Sequence, residues 1–230
     1  MLDFSGREAV VTGGTGGLGT AVVGRLIAAG ATVHVPVFIE RELEGFPYNG
    51  HDGVRLHRGL DLSVEADVAR LYEATSSFYA SIHIAGGFAM GPITETGLDT
   101  WDHLMSMNAT TCFLCCREAA RTLGGSEGRI VNVAARPVVV PTGQMTAYAA
   151  SKAAVAALTL SLAEELSGSG TWVNAIVPSI IDTATNRAAM PDADHDAWPK
   201  PEEIAETIAF LASPQNTVTR GALVPVYGKS

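Results

Sequence analysis

Two residues four positions apart, Tyr148 and Lys152, are of the types that transfer protons. They lie within residues 146–166, a segment with helical periodicity, and residues at i and i+4 project from the same face of a helix. An ammonium beside a phenol stabilises the phenolate, so Lys152 is expected to lower the pKa of Tyr148 from its usual value of about 10. The pair therefore predicts a general acid, with Tyr148 as the proton donor.

A glycine-rich turn, Thr12 to Gly19, indicates a second kind of chemistry. It lies between a predicted strand and a predicted helix, where close backbone amides and a helix N-terminus can bind a pyrophosphate. Glycines also form ordinary tight turns, but this placement at the start of a strand–helix–strand unit favours nucleotide binding. The residues expected to contact the nucleotide are Gly13, Thr15, Gly16, Gly17, Leu18 and Gly19.

The end of the second predicted strand is expected to select the ribose of that nucleotide. An acid there bonds the 2′-hydroxyl of NAD, whereas a base accommodates the 2′-phosphate of NADP. The expected acid position is Val37, followed by Phe38, and neither is charged. The nearest cations are His34 and Arg41, and Glu40 is a displaced acid. We expect Val37, Phe38 and Arg41 to border the nucleotide, with a slight preference for NADP(H).

Asp61 and Leu62 follow the third predicted strand. They either border the adenine pocket, or Asp61 caps the helix that starts near Val64. Both roles remain open, because an aspartate accepts hydrogen bonds from backbone amides or from a ligand.

The chain as a whole has the composition of a folded enzyme. Hydrophobic residues make up 47% of its 230 residues and charged residues 17%, which suits a globular domain better than a disordered or fibrous chain. The net charge of −9 argues against a nucleic-acid partner, because binding phosphates requires clustered Lys and Arg. We therefore expect a small-molecule substrate.

Three cysteines, Cys112, Cys115 and Cys116, fall within about one turn of a predicted helix. An odd, clustered set forms no disulfide framework and is typical of a reducing cytoplasm. A metal site is conceivable, but no second pair of ligands accompanies them, so we expect buried small residues and no metal. The N-terminus lacks the pattern of a signal peptide, and no apolar run reaches the ~20 residues of a membrane span. These features predict a soluble, cytoplasmic protein without a membrane partner.

Short apolar runs alternate with longer segments of helical periodicity along the chain. The predicted strands are residues 9–12, 31–37, 54–60, 81–85, 129–134, 171–177 and 222–226, and the predicted helices are residues 17–29, 64–75, 98–123, 146–166 and 201–211. Several strands are apolar on both faces, which is typical of a parallel sheet covered on both sides. The pattern predicts the α/β class, with a single Rossmann-type doubly wound domain over residues 1–230, a seven-stranded parallel sheet and helices on both faces. The irregular segment at about 178–200 is expected to form a substrate lid.

With these motifs in place, the chain resembles the short-chain dehydrogenase/reductase family over almost its whole length. The turn from Thr12 to Gly19 matches the family's Thr-Gly-x-x-x-Gly-x-Gly, and Tyr148 and Lys152 match its catalytic pair. Asn108 matches the catalytic asparagine whose backbone holds a water that reaches the lysine. The resemblance implies further cofactor contacts from Tyr148, Lys152, Ala85, Gly86, Gly87, Pro178, Ile181 and Thr183.

One position departs from the family pattern. The serine expected thirteen residues before the tyrosine is replaced by Ala135, so the hydroxyl that normally polarises a substrate carbonyl is missing. Thr142 or Thr146 could reach in from the following loop, or each could be an ordinary turn or helix-cap residue.

The dihydropteridine reductase branch of the family lacks the same serine, and two segments resemble it. Residues 84–88 are similar to its Val-Ala-Gly-Gly-Trp, and residues 182–198 are similar to its lid. A quinonoid acceptor builds little charge on a single oxygen, so it has less need of an oxyanion partner. We expect the substrate to contact Phe88, Ala135, Arg187 and Trp198.

The resulting hypothesis is an NAD(P)-dependent oxidoreductase that passes hydride to a quinonoid, pterin-like or carbonyl acceptor. One alternative is a general carbonyl reductase or alcohol dehydrogenase that uses a threonine. Another is a nucleotide-binding regulatory or scaffold protein that has lost catalysis, although the intact Asn108, Tyr148 and Lys152 argue against it. In the family the helices corresponding to 98–123 and 146–166 commonly pack against a partner subunit, which implies a homodimer or homotetramer.

Overall fold

Runs of consecutive apolar residues form the strands at the centre of the molecule. The computed structural model describes residues 2–230, and its strands are β1 (Glu8–Thr12), β2 (Thr32–Val37), β3 (Val54–Arg58), β4 (Phe78–His83), β5 (Gly128–Val133), β6 (Thr171–Pro178) and β7 (Leu223–Val226). The central strands are buried along nearly their whole length, as expected when helices cover both faces of a parallel sheet.

All neighbouring strands pair in parallel, and their order across the sheet is β3-β2-β1-β4-β5-β6-β7. The order changes direction between β1 and β4, so the loops after these two strands diverge and leave a crevice at the carboxyl edge. The predicted fold class, with seven parallel strands and helices on both faces, is confirmed.

Helices form the connections and cover the sheet. They are α1 (Gly17–Ala28), α2 (Glu65–Glu73), α3 (Leu98–Leu104), α4 (Thr111–Leu123), α5 (Thr146–Glu165), α6 (Ala184–Ala189) and α7 (Pro201–Leu211). Helices α1 and α7 pack together on one face, and α2, α4 and α5 cover the other. Side chains along a strand alternate between the two faces of the sheet. In β1, Ala9 and Val11 belong to the hydrophobic core under α1 and α7, and Val10 belongs to the core under α2, α4 and α5. These two hydrophobic cores cover the faces of the sheet, whereas loops cover its carboxyl edge.

Two segments differ from the sequence-based prediction. The predicted helix 98–123 is divided by a π-helical turn, Met105–Thr110, into α3 and α4. A π turn inserts an extra residue and re-aims the side chains on it, which periodicity alone does not reveal. The lid, predicted to be irregular, contains the short helix α6.

Helix α5 is long and apolar enough to cross a membrane by length and composition, and it is the one such helix among residues 2–230. Hydropathy along the sequence had predicted no membrane-spanning segment. Its buried residues include the polar Ser151, Lys152 and Thr159, and it packs along β6 and the π turn. These contacts are those of a core helix in the layer that covers the sheet.

Candidate active site

A cleft of about 540 Å³ opens at the carboxyl edge of the sheet, beside the ends of β1 to β4. This volume lies within the usual range of ligand pockets. Residues predicted to contact a nucleotide form most of its lining: Gly13, Thr15, Gly16, Gly17, Leu18, Gly19, Phe38, Asp61, Leu62, Ala85 and Gly86. The structure therefore brings the glycine turn together with the residues that follow β2, β3 and β4.

Three glycines shape the turn between β1 and α1 in different ways. Gly13 has a φ of +66°, and a Cβ there would lie 2.8 Å from the Ala85 amide nitrogen. A Cβ at Gly19 would lie 2.0 Å from the Gly13 carbonyl oxygen, so both positions must be glycine for the turn to form. Gly17 is exposed, and within 4 Å its Cβ would contact only the Thr183 side chain, at 3.0 Å. Gly17 therefore leaves open the approach to the first amides of α1, as a pyrophosphate requires.

The residues after β2 are arranged differently from the prediction. Val37 is fully buried in the core, and Arg41 is exposed without lining the cleft. Strand alternation explains the position of Val37, because its two neighbours along the chain line the cleft instead. A carboxylate that the prediction missed, Glu42, lines the cleft, and its Oε2 lies 3.3 Å from the Thr15 hydroxyl oxygen. Glu42 lies on a short helical turn, Glu40–Leu43. The ribose-binding acid had been expected earlier, at the end of β2.

Asp61 lines the cleft and also holds the turn before α2. Its Oδ1 accepts hydrogen bonds from the Ser63 amide at 2.8 Å and from the Ser63 hydroxyl at 2.7 Å. Helix α2 begins at Glu65 with Val64 as its N-cap residue. Asp61 is therefore not the helix cap that was one of its two predicted roles.

Tyr148 and Lys152 lie one turn apart near the start of α5. Lys152 is buried, and its ammonium donates a hydrogen bond to the Val133 carbonyl oxygen at 2.8 Å. Burial lowers the pKa of Lys152 to about 8 and raises the pKa of Tyr148 to about 12. The lysine was expected to lower the pKa of the tyrosine. In this structure the ammonium is directed at the end of β5, and burial beside the Phe88 ring, 4.9 Å away between centroids, accounts for the raised pKa of the phenol.

Asn108 lies on the π turn and clamps the loop that follows β4. Its Nδ2 donates to the Gly87 carbonyl oxygen at 3.0 Å, and its Oδ1 accepts from the Gly87 amide at 2.9 Å. Nδ2 also donates to the Ser151 hydroxyl at 3.0 Å, which in turn donates to the Tyr148 carbonyl oxygen at 2.8 Å. Sequence reasoning missed Ser151, although its spacing of three from Tyr148 places it on nearly the same helix face.

The cleft and the Tyr148–Lys152 pair meet at Gly86. This glycine lines the cleft, and a Cβ there would lie 2.4 Å from Asn108 Oδ1 and 3.3 Å from Lys152 Nζ. Lys152 Nζ therefore lies close to Gly86, although Lys152 itself is not part of the cleft lining. The structure places the predicted nucleotide site next to the helix that carries the predicted proton donor.

Ala135 follows β5 and is buried. Its methyl group neither donates nor accepts a hydrogen bond. The two threonines considered as substitutes are exposed, and the Thr142 hydroxyl donates to the Val140 carbonyl oxygen at 3.1 Å. Thr146 lines a separate, smaller cavity of about 180 Å³. Neither hydroxyl belongs to the lining of the main cleft.

The lid begins at Pro178, the last residue of β6, and runs past the glycine turn. Thr183 caps α6 by accepting a hydrogen bond from the Asn186 amide at 3.2 Å, while its methyl group is the neighbour of Gly17. Ile181 is partly buried, and its carbonyl oxygen accepts a hydrogen bond from the Asn186 side chain at 2.8 Å. The start of the lid therefore faces the start of α1.

Two lid residues predicted to contact a substrate are engaged elsewhere. Arg187 forms a two-point ion pair with Asp182, with N···O distances of 2.5 and 2.8 Å. Trp198 is buried, and its ring packs on His195 with 4.6 Å between centroids. The ion pair and the buried indole anchor the two ends of the lid, and contact of either residue with a substrate stays a prediction. Phe88, by contrast, is exposed beside Tyr148.

Comparison with known proteins places this arrangement among relatives of the same length and fold. Residues 7–194 match the family described as short chain dehydrogenase. The chain is 32% identical to cis-4-hydroxycyclohexanecarboxylate dehydrogenase of Sinomonas cyclohexanicum, over 98% of this chain and 96% of that protein. It is 30% identical to 2,3-dihydroxy-2,3-dihydro-p-cumate dehydrogenase of Pseudomonas putida, over 100% and 96%. A solved short-chain type dehydrogenase/reductase of Mycobacterium ulcerans superposes with a TM-score of 0.91 at 28% identity, over 99% of this chain and 90% of that one.

Proposed function

We propose that this chain, which belongs to the short-chain dehydrogenase family, is a nicotinamide-dependent oxidoreductase that reduces a flat, conjugated ring. The observation that supports the proposal most is the glycine-turn cleft meeting the Tyr148–Lys152 pair at Gly86. In this proposal Tyr148 donates the proton, and Lys152 orients the ribose of the cofactor and stabilises the phenolate as the proton leaves. A protein that only bound nucleotides would have no use for a buried lysine one turn from a tyrosine at the cleft.

The cleft fits a nicotinamide dinucleotide. The exposed Gly17 and the first amides of α1 would hold its pyrophosphate, and Asp61 and Leu62 would border the adenine. NADH or NADPH bound there supplies the hydride. The chain's own contribution is to position that cofactor against the substrate and to move the proton through Tyr148.

We propose NAD(H) as the preferred cofactor, although the sequence indicated NADP(H). Glu42 places a carboxylate in the cleft beside Thr15, where it can accept a hydrogen bond from a ribose hydroxyl and would repel a 2′-phosphate. Neither lysine nor arginine lines the cleft in the described part of the chain. The negative charge of Glu42 therefore favours NAD(H) over NADP(H).

A charge-removing variant tests this preference. Glu42→Gln should lower the ratio of kcat/KM for NADH to kcat/KM for NADPH by at least about tenfold, the scale of one hydrogen bond to a charged group. Glu40→Gln is the matched control, because Glu40 lies two residues earlier and its carboxylate pairs with Arg58. A wild-type enzyme that prefers NADPH, or a ratio that Glu42→Gln leaves unchanged, would contradict the choice of NAD(H).

The groups around Tyr148 support a flat, largely apolar acceptor of the quinonoid or pterin-like kind. Ala135 offers a methyl group where the family resemblance places a serine hydroxyl, and no threonine of the nearby loop lines the cleft. The exposed Phe88 ring stands edge-to-face to Tyr148 and offers a surface on which a ring can stack. Reduction of a conjugated ring leaves little charge on a single oxygen, so the absence of an oxyanion partner is less costly.

A second candidate is the interconversion of a cyclic alcohol and its ketone. It is favoured by the relative from Sinomonas cyclohexanicum, whose name describes the dehydrogenation of a hydroxycyclohexane carboxylate. In this case the carbonyl oxygen would be polarised by Tyr148 alone.

An assay of NADH and NADPH oxidation distinguishes the two candidates. The acceptors are a quinonoid dihydropterin, cyclohexanones and a set of aldehydes, each at the same concentration. We expect the quinonoid acceptor to give the highest kcat/KM. Turnover confined to cyclohexanones or aldehydes would favour the second candidate, and no turnover with any acceptor would contradict both.

We also propose that the enzyme is a cytoplasmic homodimer or homotetramer. Phe113 on α4 and Leu160 on α5 expose about half of their apolar side chains on the outer faces of these helices. Burial of such residues against a second copy would remove this apolar surface from water. Light scattering at micromolar concentration tests the assembly, and a monomer would contradict it.

A further inference from the structure

Three side chains with soft or borderline donor atoms meet in the core behind the active site. Cys112 and Cys116 lie one turn apart on α4, and His83 is the last residue of β4. The two sulfurs and a ring nitrogen of the histidine all lie within 4.8 Å of one another, and all three residues are buried. In the sequence only the two cysteines are close together. His83 is about 30 residues away along the chain, and the packing of α4 on β4 brings it next to them.

Polar neighbours hold these donors in a defined orientation. His83 Nδ1 lies 3.5 Å from Cys116 Sγ, and Nε2 lies 2.8 Å from the Ser81 hydroxyl oxygen. Asn132 Oδ1 lies 2.7 Å from the same Nδ1 and 3.5 Å from Cys116 Sγ. The Asn132 side chain is itself fixed, because its Nδ2 donates to the Thr159 hydroxyl at 2.9 Å.

We propose that Cys112, Cys116 and His83 form a structural site for a divalent d¹⁰ cation such as Zn²⁺, with Asn132 Oδ1 as the fourth ligand. With metal–sulfur and metal–nitrogen distances of about 2.3 and 2.0 Å, a tetrahedral site separates sulfur from nitrogen by roughly 3.5 Å. The distances from Cys116 Sγ to His83 Nδ1 and to Asn132 Oδ1, both 3.5 Å, match that separation. The 2.7 Å between His83 Nδ1 and Asn132 Oδ1 is a hydrogen bond, and it must lengthen to roughly 3.3 Å when both atoms bind the cation. The Nε2–H group then donates a hydrogen bond to the Ser81 hydroxyl oxygen, as the free N–H of metal-bound histidines commonly does to a partner.

The charges and protons of this site balance. Each thiol releases one proton, so a divalent cation and two thiolates add no net charge to the core. His83 stays neutral, and its proton moves from Nδ1 to Nε2. Because the site is closed to solvent, the cation enters while the chain folds, and it then joins β4 and β5 to α4.

Metal content measured after folding in the presence of the cation tests the proposal. The protein is produced in cells grown with added Cd²⁺ and purified with a non-thiol reductant. We expect about one Cd²⁺ per chain, an ultraviolet thiolate-to-metal charge-transfer band and a higher melting temperature than that of protein made without the metal. Cys112→Ser and Cys116→Ser should each lose the band and the gain in melting temperature.

Cys115→Ser is the matched control, because Cys115 is on the same helix, equally buried, and on the side that faces Tyr72. It should keep the full metal content and the band. Circular dichroism confirms that each variant is folded, and His83→Gln provides a second test if a cysteine variant does not fold. Wild-type protein without metal, a band that survives Cys112→Ser and Cys116→Ser, or an equal loss in Cys115→Ser would overturn the proposal.

Discussion

The two halves of the sheet's carboxyl edge are built by different means. The nucleotide half, after β1 to β4, depends on backbone, because a Cβ at Gly13 or Gly19 would collide with main-chain atoms and Gly17 leaves amides open. The proposed substrate half, after β5 and β6, depends on side chains, with the phenol of Tyr148 as the proposed proton donor and the methyl group of Ala135 at the position where the family has a serine. A backbone site keeps its function while its neighbours change, whereas a side-chain site changes its chemistry with one substitution. We therefore expect that mutations can change cofactor binding and substrate choice separately.

Removal of the Tyr148 hydroxyl is expected to have the largest effect, and to act on the substrate half alone. Tyr148→Phe should lower turnover by about two to four orders of magnitude, the usual scale for loss of a general acid. The dissociation constant for the nucleotide, measured by fluorescence titration, should stay unchanged. Tyr79→Phe, which removes a phenol that contacts Glu127 in a remote part of the fold, should keep full turnover. A fully active Tyr148→Phe enzyme would mean that the proton comes from another group.

Restoring a hydroxyl at Ala135 is expected to change which substrate is preferred. Ala135→Ser should raise kcat/KM for simple ketones or aldehydes by up to about 1,000-fold, because one oxyanion donor contributes roughly 2.7–4 kcal/mol. It should change little for a quinonoid acceptor. Ala134→Ser is the control, since Ala134 is buried in a separate apolar cluster with Ala175. The decisive quantity is the ratio of quinonoid to carbonyl activity, and a ratio that does not move contradicts the proposed role of Ala135.

A side chain at Gly17 is expected to act on the nucleotide half alone. Gly17→Val should weaken NADH binding by about 10- to 100-fold, the scale of losing one hydrogen bond to a charged group. The fold should persist, because Gly17 is exposed and a Cβ there meets only the Thr183 side chain. Ala28→Val, at the exposed far end of α1, controls for the cost of a β-branched residue in this helix. Wild-type affinity in a folded Gly17→Val protein would refute the placement of the pyrophosphate.

Acidification is expected to have the smallest effect, and to weaken the strands under the nucleotide half. His34 on β2 and His57 on β3 stack 5.1 Å apart, and burial lowers the pKa of both below 6.5. Next to His34, Arg55 lowers that pKa further and Glu8 opposes the shift. Below pH 6.5 the unfolded chain therefore binds protons that the folded chain does not, so stability falls as the pH decreases from 6.5 towards the folded-state pKa values.

Urea denaturation at several pH values measures this dependence. Each histidine contributes a slope of at most about 1.4 kcal/mol per pH unit. His57→Gln should flatten the profile between pH 6.5 and 5, whereas His103→Gln, on the exposed side of α3, should leave it unchanged. Equal profiles for wild type and His57→Gln would contradict the assignment.

The sequence predicted the parts of the molecule that depend on local pattern. The seven strands and the fold class followed from apolar runs, and the glycine turn from its place between a strand and a helix. Other features depend on contacts between distant segments and could not be predicted this way. The burial of Val37 and the entry of Glu42 into the cleft depend on how β2 and the following turn pack.

Chemical environments were harder to predict than positions. Tyr148 and Lys152 were assigned to one helix face, but the bond from Lys152 to Val133 and the burial of the phenol reverse the expected direction of the tyrosine pKa. Arg187 and Trp198 belong to the expected lid, but an ion pair and a buried ring give them anchoring roles. A sequence pattern gives neighbours along the chain, whereas charge state depends on neighbours in space.

The two anchors of the lid have a consequence for how this enzyme could acquire new substrates. Arg187, paired with Asp182, fixes the start of the lid, and the buried Trp198 fixes its end. The ten residues between them, 188–197, are mostly exposed, so we expect the rest of the fold to tolerate mutations there. Directed evolution confined to this stretch would sample new acceptors while the dinucleotide site and the proton donor stay intact. Natural evolution can act in the same way, because substitutions in this stretch would change the substrate while the reaction stays the same.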